Sequence, residues 1–543
     1  CRAQQEPPNS WAMSNLAEHV EEELKKTSLF LPFQRRYTVL LGLPLYLCGF
    51  HWLLGTFTTL EPDVNACSAQ NDCNIIAASD PILCDDNGPT YTYLSKAESV
   101  IAEFDLICDK ARWVTAMKTG FFFGFLLGVA IFSSLADTRG RRWSFVASLL
   151  VQILGAFLST VAPFFEVYIF SRFLIGASCG GLILCAFVWN SEMVGPAARS
   201  VLPATTSALF ALGPMGAAIL AMFVKEWRHL SFVSLAIDLP FLAFSCWLLE
   251  SPKWYAAAGR GLEAQAVLTR VSVTNEAPPP ASLPQERRTR VSMASPSQPQ
   301  SNVLKMLLCD ERLQRRFLIL CFTWFALAIG YFGLTMNVSN IGMNVYWATI
   351  VSSATELPVY FPLVPMLDSK LLGRRGTAMT GLLTGGMCCL FAAVAIGFFT
   401  AKDAQPSVLV LAVVFIGKAG VAMSFACIYL YAAELFPTDL RSRAMGMQSL
   451  CSRVGGMVAP VIADIGKKSQ FLALLMFGMP ALISGILLLF LPETRGTSIP
   501  ENIEDIEPPS GLLQLGRPEA KQEDAELADP YRDSIELKGT VES

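Results

Sequence analysis

The nine residues LADTRGRRW, from Leu135 to Trp143, follow a long apolar run and combine an acidic residue, a glycine and several arginines. A related stretch, MLDSKLLGRRG, occupies positions 366–376 and also follows a long apolar run. Short polar stretches of this kind are typical of loops at a membrane surface, where arginines favour the cytosolic side. The repetition predicts a chain of two related halves, each of which crosses a membrane several times.

The composition supports a membrane location. Of the 543 residues, 53% are hydrophobic and only 16% are charged, and the mean hydropathy is +0.44. These values lie outside the range of ordinary soluble domains. The net charge of -4 is spread along the chain without a basic domain, which argues against nucleic acid as a partner.

Twelve apolar runs each contain roughly the 20 residues that a helix needs to cross a bilayer. We therefore predict an all-α polytopic membrane protein with twelve transmembrane helices in two pseudo-symmetric six-helix bundles. The predicted spans are 38–59, 112–134, 143–162, 167–191, 201–224, 230–249, 316–335, 344–367, 376–399, 407–433, 444–465 and 469–491. We divide the chain into an N-terminal segment 1–37, a first six-helix bundle 38–249, a linker 250–315, a second six-helix bundle 316–491 and a C-terminal tail 492–543.

Clusters of basic residues predict the orientation of these spans. Arginines and lysines lie between spans 2 and 3, 8 and 9, and 10 and 11, so we expect these loops and both termini in the cytosol. The linker 250–315 is then cytosolic, and its Pro-, Ser- and Gln-rich middle predicts a disordered tether. The acidic tail 492–543 is placed on the same side.

The same topology places the acidic segment 61–111 outside the cell. This loop contains four of the fifteen cysteines, which indicates disulfide bonds on an oxidising face. Four cysteines allow three pairings, and the sequence does not choose among them. No metal-ligand spacing is present, and three histidines in the whole chain leave little for a histidine-based metal site. The cysteines concerned are Cys67, Cys73, Cys84 and Cys108.

Two further pairs of motifs repeat at nearly one spacing. SEMVGPAAR after span 4 is matched by AELFPTDLR after span 10, with the glutamates 242 residues apart, and ESPKW after span 6 is matched by ETRG 243 residues later. Acids and arginines at neighbouring helix ends can form ion pairs that close and open as the halves tilt. Alternatively, cytosolic arginines only set the topology. The predicted gating residues are Asp137, Arg141, Arg142, Glu192, Arg199, Glu250, Asp368, Arg374, Arg375, Glu434, Arg441, Glu493 and Arg495.

These motifs carry a resemblance. LADTRGRRW, ESPKW, YLYAAELFPTDLR and LPETRG resemble the signature segments of the major facilitator superfamily. LPFQRRY, SVIAEFDLICD, FTWF, YFGL and LFLPETRG are similar, more narrowly, to its organic cation, anion and carnitine transporter family of solute carriers. The short outer loop is closer to plant and protist members than to animal ones. Leu249 and Lys253 depart from the usual proline and arginine of the family.

The resemblance implies a secondary active or facilitative transporter of small organic ions that works by alternating access, and not an enzyme. It implies no cofactor and leaves coupling to Na⁺ or H⁺ open. Its expected partners are the organic ion and membrane lipid, and the chain is expected to be a monomer or a weak homo-oligomer. We expect the plasma membrane, with a vacuolar or other endomembrane as the alternative. A transporter-like receptor or scaffold without turnover is the alternative of another class.

Two charged residues lie near the middle of predicted spans. Arg453 follows Arg443 by ten residues, which places it about 15 Å from the cytosolic face, and Glu356 is about 18 Å from that face by the same helical rise. Charges inside the membrane commonly mark solute paths. The alternative is that Arg453 and Glu356 pair with each other or with helix carbonyls.

The resemblance indicates which charge of solute Arg453 and Glu356 favour. Cation carriers of the family tend to have an acid at the position of Arg453, whereas anion and carnitine carriers have an arginine. Arg453 therefore favours an organic anion or a zwitterion, and Glu356 favours a solute that also has a positive end. Carnitine-like zwitterions satisfy both residues, and an organic cation is the alternative.

Aromatic residues complete the predicted site. Trp324 and Tyr331 share a face of span 7 and match aromatic residues of the family that pack against the solute, with Phe332 as a third candidate. Their alternative role is packing or anchoring at the membrane interface. Lys418 matches a family lysine and could instead reach the outer interface. Asp238 lies near the midplane of span 6 without an assigned role, and a proton-coupling site is one option.

Overall fold

A computed structural model describes residues 10–26, 31–67, 73–78, 80–84, 89–195, 201–245, 247–280, 300–337, 343–399 and 408–496. These residues form seventeen α-helices, which we number in chain order. They are α1 Ser10–Lys25, α2 Pro32–Thr58, α3 Val100–Glu103, α4 Arg112–Arg139, α5 Arg141–Val161, α6 Phe165–Met193, α7 Leu202–Phe223, α8 Trp227–Ser245, α9 Pro252–Ala257, α10 Gly261–Thr274, α11 Gln300–Cys309, α12 Glu311–Asn337, α13 Val345–Leu367, α14 Gly373–Val394, α15 Val408–Leu435, α16 Thr438–Lys468 and α17 Gln470–Leu487.

Twelve of these helices correspond to the twelve predicted spans. Ten helices of the described chain are long and apolar enough to cross a membrane. The other two are α8 and α16, which carry Asp238 and Arg453 in their middle parts. Several helices extend beyond the predicted apolar runs: α2 begins at Pro32 instead of residue 38, and α12 begins at Glu311 instead of residue 316.

The twelve helices form two bundles, one of α2 and α4–α8 and one of α12–α17. Within the first bundle α6 packs on α4 and α5, and within the second α15 packs on α14. Glycines allow these close approaches: a Cβ atom on Gly128 would lie 1.9 Å from the carbonyl oxygen of Ala177, and one on Gly420 would lie 2.7 Å from that of Gly381. Small residues at helix contacts are the usual basis of packing in membranes.

The two bundles meet along two helix pairs, α4 with α16 and α7 with α13. The Thr119 hydroxyl on α4 donates to the Met457 carbonyl on α16 at 3.2 Å. A Cβ atom on Gly456 would lie 2.5 Å from the ring of Phe122. These contacts join the halves in the outer part of the membrane, since α4 begins on the outer side.

The outer segment contains a small β-sheet that the sequence did not predict. Strands β1 Asp63–Cys67, β2 Cys73–Ala77 and β3 Thr90–Tyr93 form an antiparallel sheet in the order β2-β1-β3. Cys84 is disulfide-bonded to Cys108. Cys67 is also disulfide-bonded, and the strand register places it opposite Cys73.

On the cytosolic side, α1 packs against the helices that follow the first bundle. Its residues Val20 and Leu24 are buried with Ala264 and Leu268 of α10, and Glu21 forms an ion pair with Lys253 of α9. The predicted polar N-terminal segment therefore contains a docked helix. The middle of the predicted tether, 281–299, and the tail after residue 496 lie outside the described residues.

Candidate functional site

A cavity lies between the two bundles. Its walls come from α2, α4, α6 and α7 on one side and from α12, α13, α15 and α16 on the other, and they are largely apolar and aromatic. Pro203 and Ser449 belong to the cytosolic parts of α7 and α16, so the cavity extends from mid-membrane toward the cytosol. A concave, mostly apolar site with few polar groups is the usual form of a small-molecule site.

Aromatic and charged contacts cover the outer end of this cavity. The rings of Phe57 on α2 and Tyr346 on α13 stack with centroids 5.6 Å apart. The ammonium of Lys225 lies 4.5 Å from the centre of the Tyr346 ring. Because these contacts join the two halves, they close the outer end of the cavity.

Arg453 is the one charged side chain that lines this cavity in the described part of the chain. It is only 6% exposed, its guanidinium lies 3.8 Å above the ring of Phe125, and it hydrogen-bonds Tyr429. Its Nε is buried without a hydrogen-bond partner. Among the described residues no carboxylate lies within 4.0 Å of the guanidinium, so its positive charge is not neutralised by an acid.

Glu356 is already paired. Its Oε1 lies 2.6 Å from the Nζ of Lys418, which also donates to the Ser352 hydroxyl at 2.5 Å. The Tyr331 hydroxyl donates to Oε2 of Glu356 at 3.0 Å. Glu356 and Lys418 are both 1% exposed, so Lys418 turns inward instead of reaching the interface. The sequence alternative that paired Glu356 with Arg453 is replaced by this Glu356–Lys418 pair.

The predicted aromatic residues occupy two layers. Tyr331 and Phe332 line the cavity. Trp324 is 1% exposed and packs behind the wall, with its ring 4.5 Å from that of Tyr429 and 6.1 Å from that of Phe425. Trp324 and Tyr331 both contact Phe425, as their shared helix face predicts, but the spacing did not show that only Tyr331 lines the cavity.

Other wall residues were missed by sequence reasoning. Trp52 and Phe210 stack at 6.1 Å, and Trp52 contacts Phe332 at 5.0 Å across the two halves. Tyr360 and Phe425 complete this ring of aromatic side chains. No motif marks these positions, because aromatic residues are common throughout apolar helices. Their meeting depends on how the two bundles pack.

The gating residues predicted in the first half come together at the cytosolic end of α4, α5 and α6. Arg141 forms ion pairs with Asp137 at 2.7 Å and with Glu192 at 2.9 Å. The carboxylate of Glu250 accepts the backbone N–H groups of Arg141 and Arg142 at 3.0 and 3.1 Å. Burial raises the pKa of Glu250 despite these donors. Gly140, at φ +107°, makes the sharp turn that brings α5 to these acids.

The second half repeats this arrangement. Arg374 forms ion pairs with Asp368 at 3.2 Å and with Glu434 at 3.3 Å. Glu493 accepts the backbone N–H groups of Arg374 and Arg375 at 2.8 and 3.1 Å. The contacts of Arg141 and Arg374 described here stay within their own bundles. Each arginine therefore fastens together the cytosolic ends of three helices of one half.

The remaining predicted gating residues take different positions. Arg495 donates its backbone N–H to Glu493 at 3.1 Å. Arg441 has Nε and Nη2 buried without a hydrogen-bond partner in the described chain, and Arg199 lies outside the described residues. The described ranges contain no group of three or more His, Cys, Asp or Glu side chains that could hold a metal ion.

Asp238 has partners that the sequence did not reveal. The Nε2 of His51 lies 3.0 and 2.9 Å from its two carboxylate oxygens, and the Gln152 amide donates to Oδ1 at 2.9 Å. His51 and Asp238 are both fully buried. His51 lies on α2 and Asp238 on α8, so no local pattern connects them.

Comparisons with known proteins agree with this architecture. Residues 75–505 match the family model described as Sugar (and other) transporter. The organic cation transporter protein of Drosophila melanogaster is 31% identical over 541 residues, which cover 92% of this chain and 95% of the relative. Organic anion transporter 3 of Sus scrofa is 31% identical over 532 residues, which cover 91% and 94%.

A solved structure shows the same fold. The major facilitator superfamily proton:xylose symporter XylE of E. coli matches 87% of this chain and 99% of its own, with a TM-score of 0.59 and 13% sequence identity. The prediction of twelve helices in two bundles is thereby confirmed. The chain belongs to the sugar (and other) transporter family of the major facilitator superfamily, next to the organic cation and anion transporters, and it is a multi-pass membrane transporter.

Proposed function

We propose that this transporter carries small aromatic organic anions by alternating access at the cavity that Arg453 lines. The two relatives named above are equally similar to this chain, yet one is called a cation transporter and the other an anion transporter. Family membership therefore leaves the charge of the solute open. The side chains at the cavity supply the distinction.

The unneutralised charge of Arg453 carries the proposal. A buried guanidinium without a carboxylate partner is costly, and an anionic solute in the cavity would compensate it. Its guanidinium gives the solute a charged donor at the cavity wall, and a hydrogen bond to a charged group contributes about 1.5–3 kcal/mol. The aromatic wall favours a solute with a ring or another flat apolar part.

The Glu356–Lys418 pair argues against a cation. A solute cation would need Glu356 to leave Lys418, and breaking a buried ion pair costs several kcal/mol. This revises the prediction of a carnitine-like zwitterion, which relied on a free Glu356. Zwitterions remain the second candidate, because the faces of Tyr331 and Phe332 could hold a quaternary ammonium group by cation–π attraction.

Three labelled probes of one shape test the proposal. Toluenesulfonate, benzyltrimethylammonium and phenylalanine betaine share a ring and differ in charge. Uptake is measured into cells with matched surface expression, and surface labelling also tests the proposed plasma-membrane location. We expect uptake to be fastest for the sulfonate and slowest for the ammonium compound. Faster uptake of the ammonium compound would overturn the proposal. If none of the three probes is taken up, a receptor-like role without transport of these solutes is favoured.

A further inference from the structure

A second charged group lies inside the first bundle, apart from the cavity charges. The Asp238 carboxylate on α8 accepts the Nε2–H of His51 on α2 and the amide N–H of Gln152 on α5. Ser178 on α6 in turn donates its hydroxyl to Oε1 of Gln152 at 3.2 Å. These four side chains, which are all fully buried, form one chain of hydrogen bonds.

One nitrogen of the His51 ring takes no part in these hydrogen bonds. Because Nε2 of His51 donates to a carboxylate, the other ring nitrogen, Nδ1, is the atom that can accept a proton. Nδ1 is buried and has no hydrogen-bond partner among the described residues. It lacks a partner in both protonation states of the ring, and only the protonated ring forms an ion pair with Asp238.

A fixed cation stands beside the pair. The Nη2 of Arg172 on α6 donates to the backbone carbonyls of His51 and Trp52 at 2.7 and 3.3 Å. Among the described residues no carboxylate lies within 4.0 Å of Arg172. With His51 neutral, Arg172 and Asp238 balance each other. With His51 protonated, the cluster carries one net positive charge.

This extra charge lies next to the solute cavity. Cys48 and Trp52, on the same helix as His51, line the cavity. Arg172 lies 5.3 Å from the ring centre of Phe121, and Arg453 lies 3.8 Å from that of Phe125, one helical turn away on α4. An anion in the cavity would therefore favour protonated His51, and protonated His51 would favour the anion by the same free energy.

We propose that the His51–Asp238 pair is a proton-binding site that couples the transport of one proton to that of one organic anion. Nδ1 of His51 takes up the proton when the pair is accessible from one side of the membrane. It releases the proton when the pair is accessible from the other side. No covalent bond other than N–H forms or breaks. This inference rests on the proposed anion transport and adds its driving ion.

The other groups around the pair do not offer a competing proton site at the same level. On α2 and α6 the nearby titratable groups include Cys48 and Cys179, which hydrogen-bond each other's backbone carbonyls. Tyr168 lies near Arg172, and its hydroxyl hydrogen-bonds that of Thr58 at 2.5 Å. Helix α7 has no titratable residue along Leu202–Phe223. The charged residues of α5 and the basic residues of α8 lie at the ends of those helices. Arg172 keeps its charge, since arginine does not deprotonate in proteins.

The test uses the purified full chain in liposomes with the membrane potential held at zero. Toluenesulfonate is the anion, because it stays ionised and does not cross lipid as a neutral acid. With one proton per anion, an interior one pH unit more alkaline drives about tenfold accumulation, since one pH unit equals a tenfold concentration ratio. A pH dye inside the liposomes should record acidification that depends on the anion.

Exchange of labelled for unlabelled anion at equal pH serves as the separate readout for transport itself. His51→Gln keeps an N–H donor for Asp238 but cannot take the extra proton. We expect this variant to exchange the anion while its accumulation ratio falls from about ten to about one. The chain has three histidines, so His19→Gln and His229→Gln are matched controls that should behave like the wild type. Asp238→Asn is the second variant and should also lose accumulation.

The outcomes separate the two proposals. Absence of anion exchange in the wild type contradicts the proposed function itself. Exchange by the wild type without anion-dependent acidification overturns the proton site and leaves anion transport standing. Tenfold accumulation retained in His51→Gln or Asp238→Asn also overturns the site. The wild-type measurement alone decides whether a proton is coupled to the anion, and the two variants assign the coupling to this pair.

Discussion

Arg141 and Arg374 lie at equivalent cytosolic corners of the two halves, where the ends of three helices meet, and the two arginines have the same types of partner. Each binds an aspartate on the preceding helix and a glutamate on the following one, and each donates its backbone N–H to a glutamate after the bundle. A cysteine even donates its thiol to each arginine carbonyl at 3.3 Å. The cytosolic corners are therefore duplicated parts of one scaffold.

The mid-membrane charges are not duplicated. The first half carries His51 with Asp238, beside Arg172, and the second carries Glu356 with Lys418 and, separately, Arg453. We propose that the duplicated residues serve the motion that both halves share and that the single-copy residues serve the particular solute and its driving ion. The following predictions test this distinction, in order of decreasing effect.

Replacing Arg453 should have the largest effect on transport. Arg453→Gln removes the unneutralised charge from the cavity wall, so we expect the KM for toluenesulfonate to rise about tenfold to a hundredfold, as the loss of a hydrogen bond to a charged group implies. Saturation kinetics of labelled uptake measure this change. Lys467→Gln, which removes an exposed charge from the same helix, is the control. Equal kinetics for both variants would make Arg453 a packing residue.

The Glu356–Lys418 pair should behave as a unit. Glu356→Gln and Lys418→Met should each destabilise the protein by about 3–5 kcal/mol, because each leaves a buried charge alone. The double variant should be more stable than either single one and should keep its preference for the anion. Thermal unfolding in detergent, followed by the uptake assay, measures both effects. If the double variant instead prefers the ammonium probe, the pair contacts the solute.

The duplicated arginines should give matched losses. Arg141→Ala and Arg374→Ala each remove charged hydrogen bonds of about 1.5–3 kcal/mol at a helix corner. We expect the maximal uptake rate to fall about tenfold in each variant while the KM changes little, because neither residue lines the cavity. A change confined to one of them would show that the two corners have different roles.

The aspartates of the same corners should matter least. Asp137 is 69% exposed and Asp368 is 60% exposed, and exposed ion pairs contribute about 0.2–1 kcal/mol. Asp137→Asn and Asp368→Asn should therefore slow uptake by less than about fivefold and leave binding intact. A larger loss in either variant, with normal surface expression, would assign that carboxylate a role in another state of the transport cycle.

Much of this architecture could be predicted from the sequence because it rests on local signals. Apolar length marked the spans, arginine clusters marked the cytosolic ends, and repeated motifs marked the two halves. Helix ends such as Pro32 and Glu311 were placed too late, since helices continue past the hydrocarbon into polar sequence. The outer strands are only four or five residues long, and their short alternation in a polar loop was not recognised.

The site was harder to predict because its partners are distant in sequence. Arg453 could be located from its depth, but the pairing of Glu356 with Lys418 and of His51 with Asp238 depends on how separate helices pack. The same limit explains Trp324, whose face was predicted correctly while its distance from the cavity was not. Local patterns thus identified charged residues, and only the tertiary packing showed which charges are already neutralised.

The central claim is that Arg453 selects the charge of the solute. It is tested most directly by the ratio of toluenesulfonate to benzyltrimethylammonium uptake in Arg453→Asp relative to the wild type, at matched surface expression. We expect this ratio to fall at least about tenfold, because the anion loses its donor and meets a carboxylate. An unchanged ratio in a correctly targeted variant would contradict it.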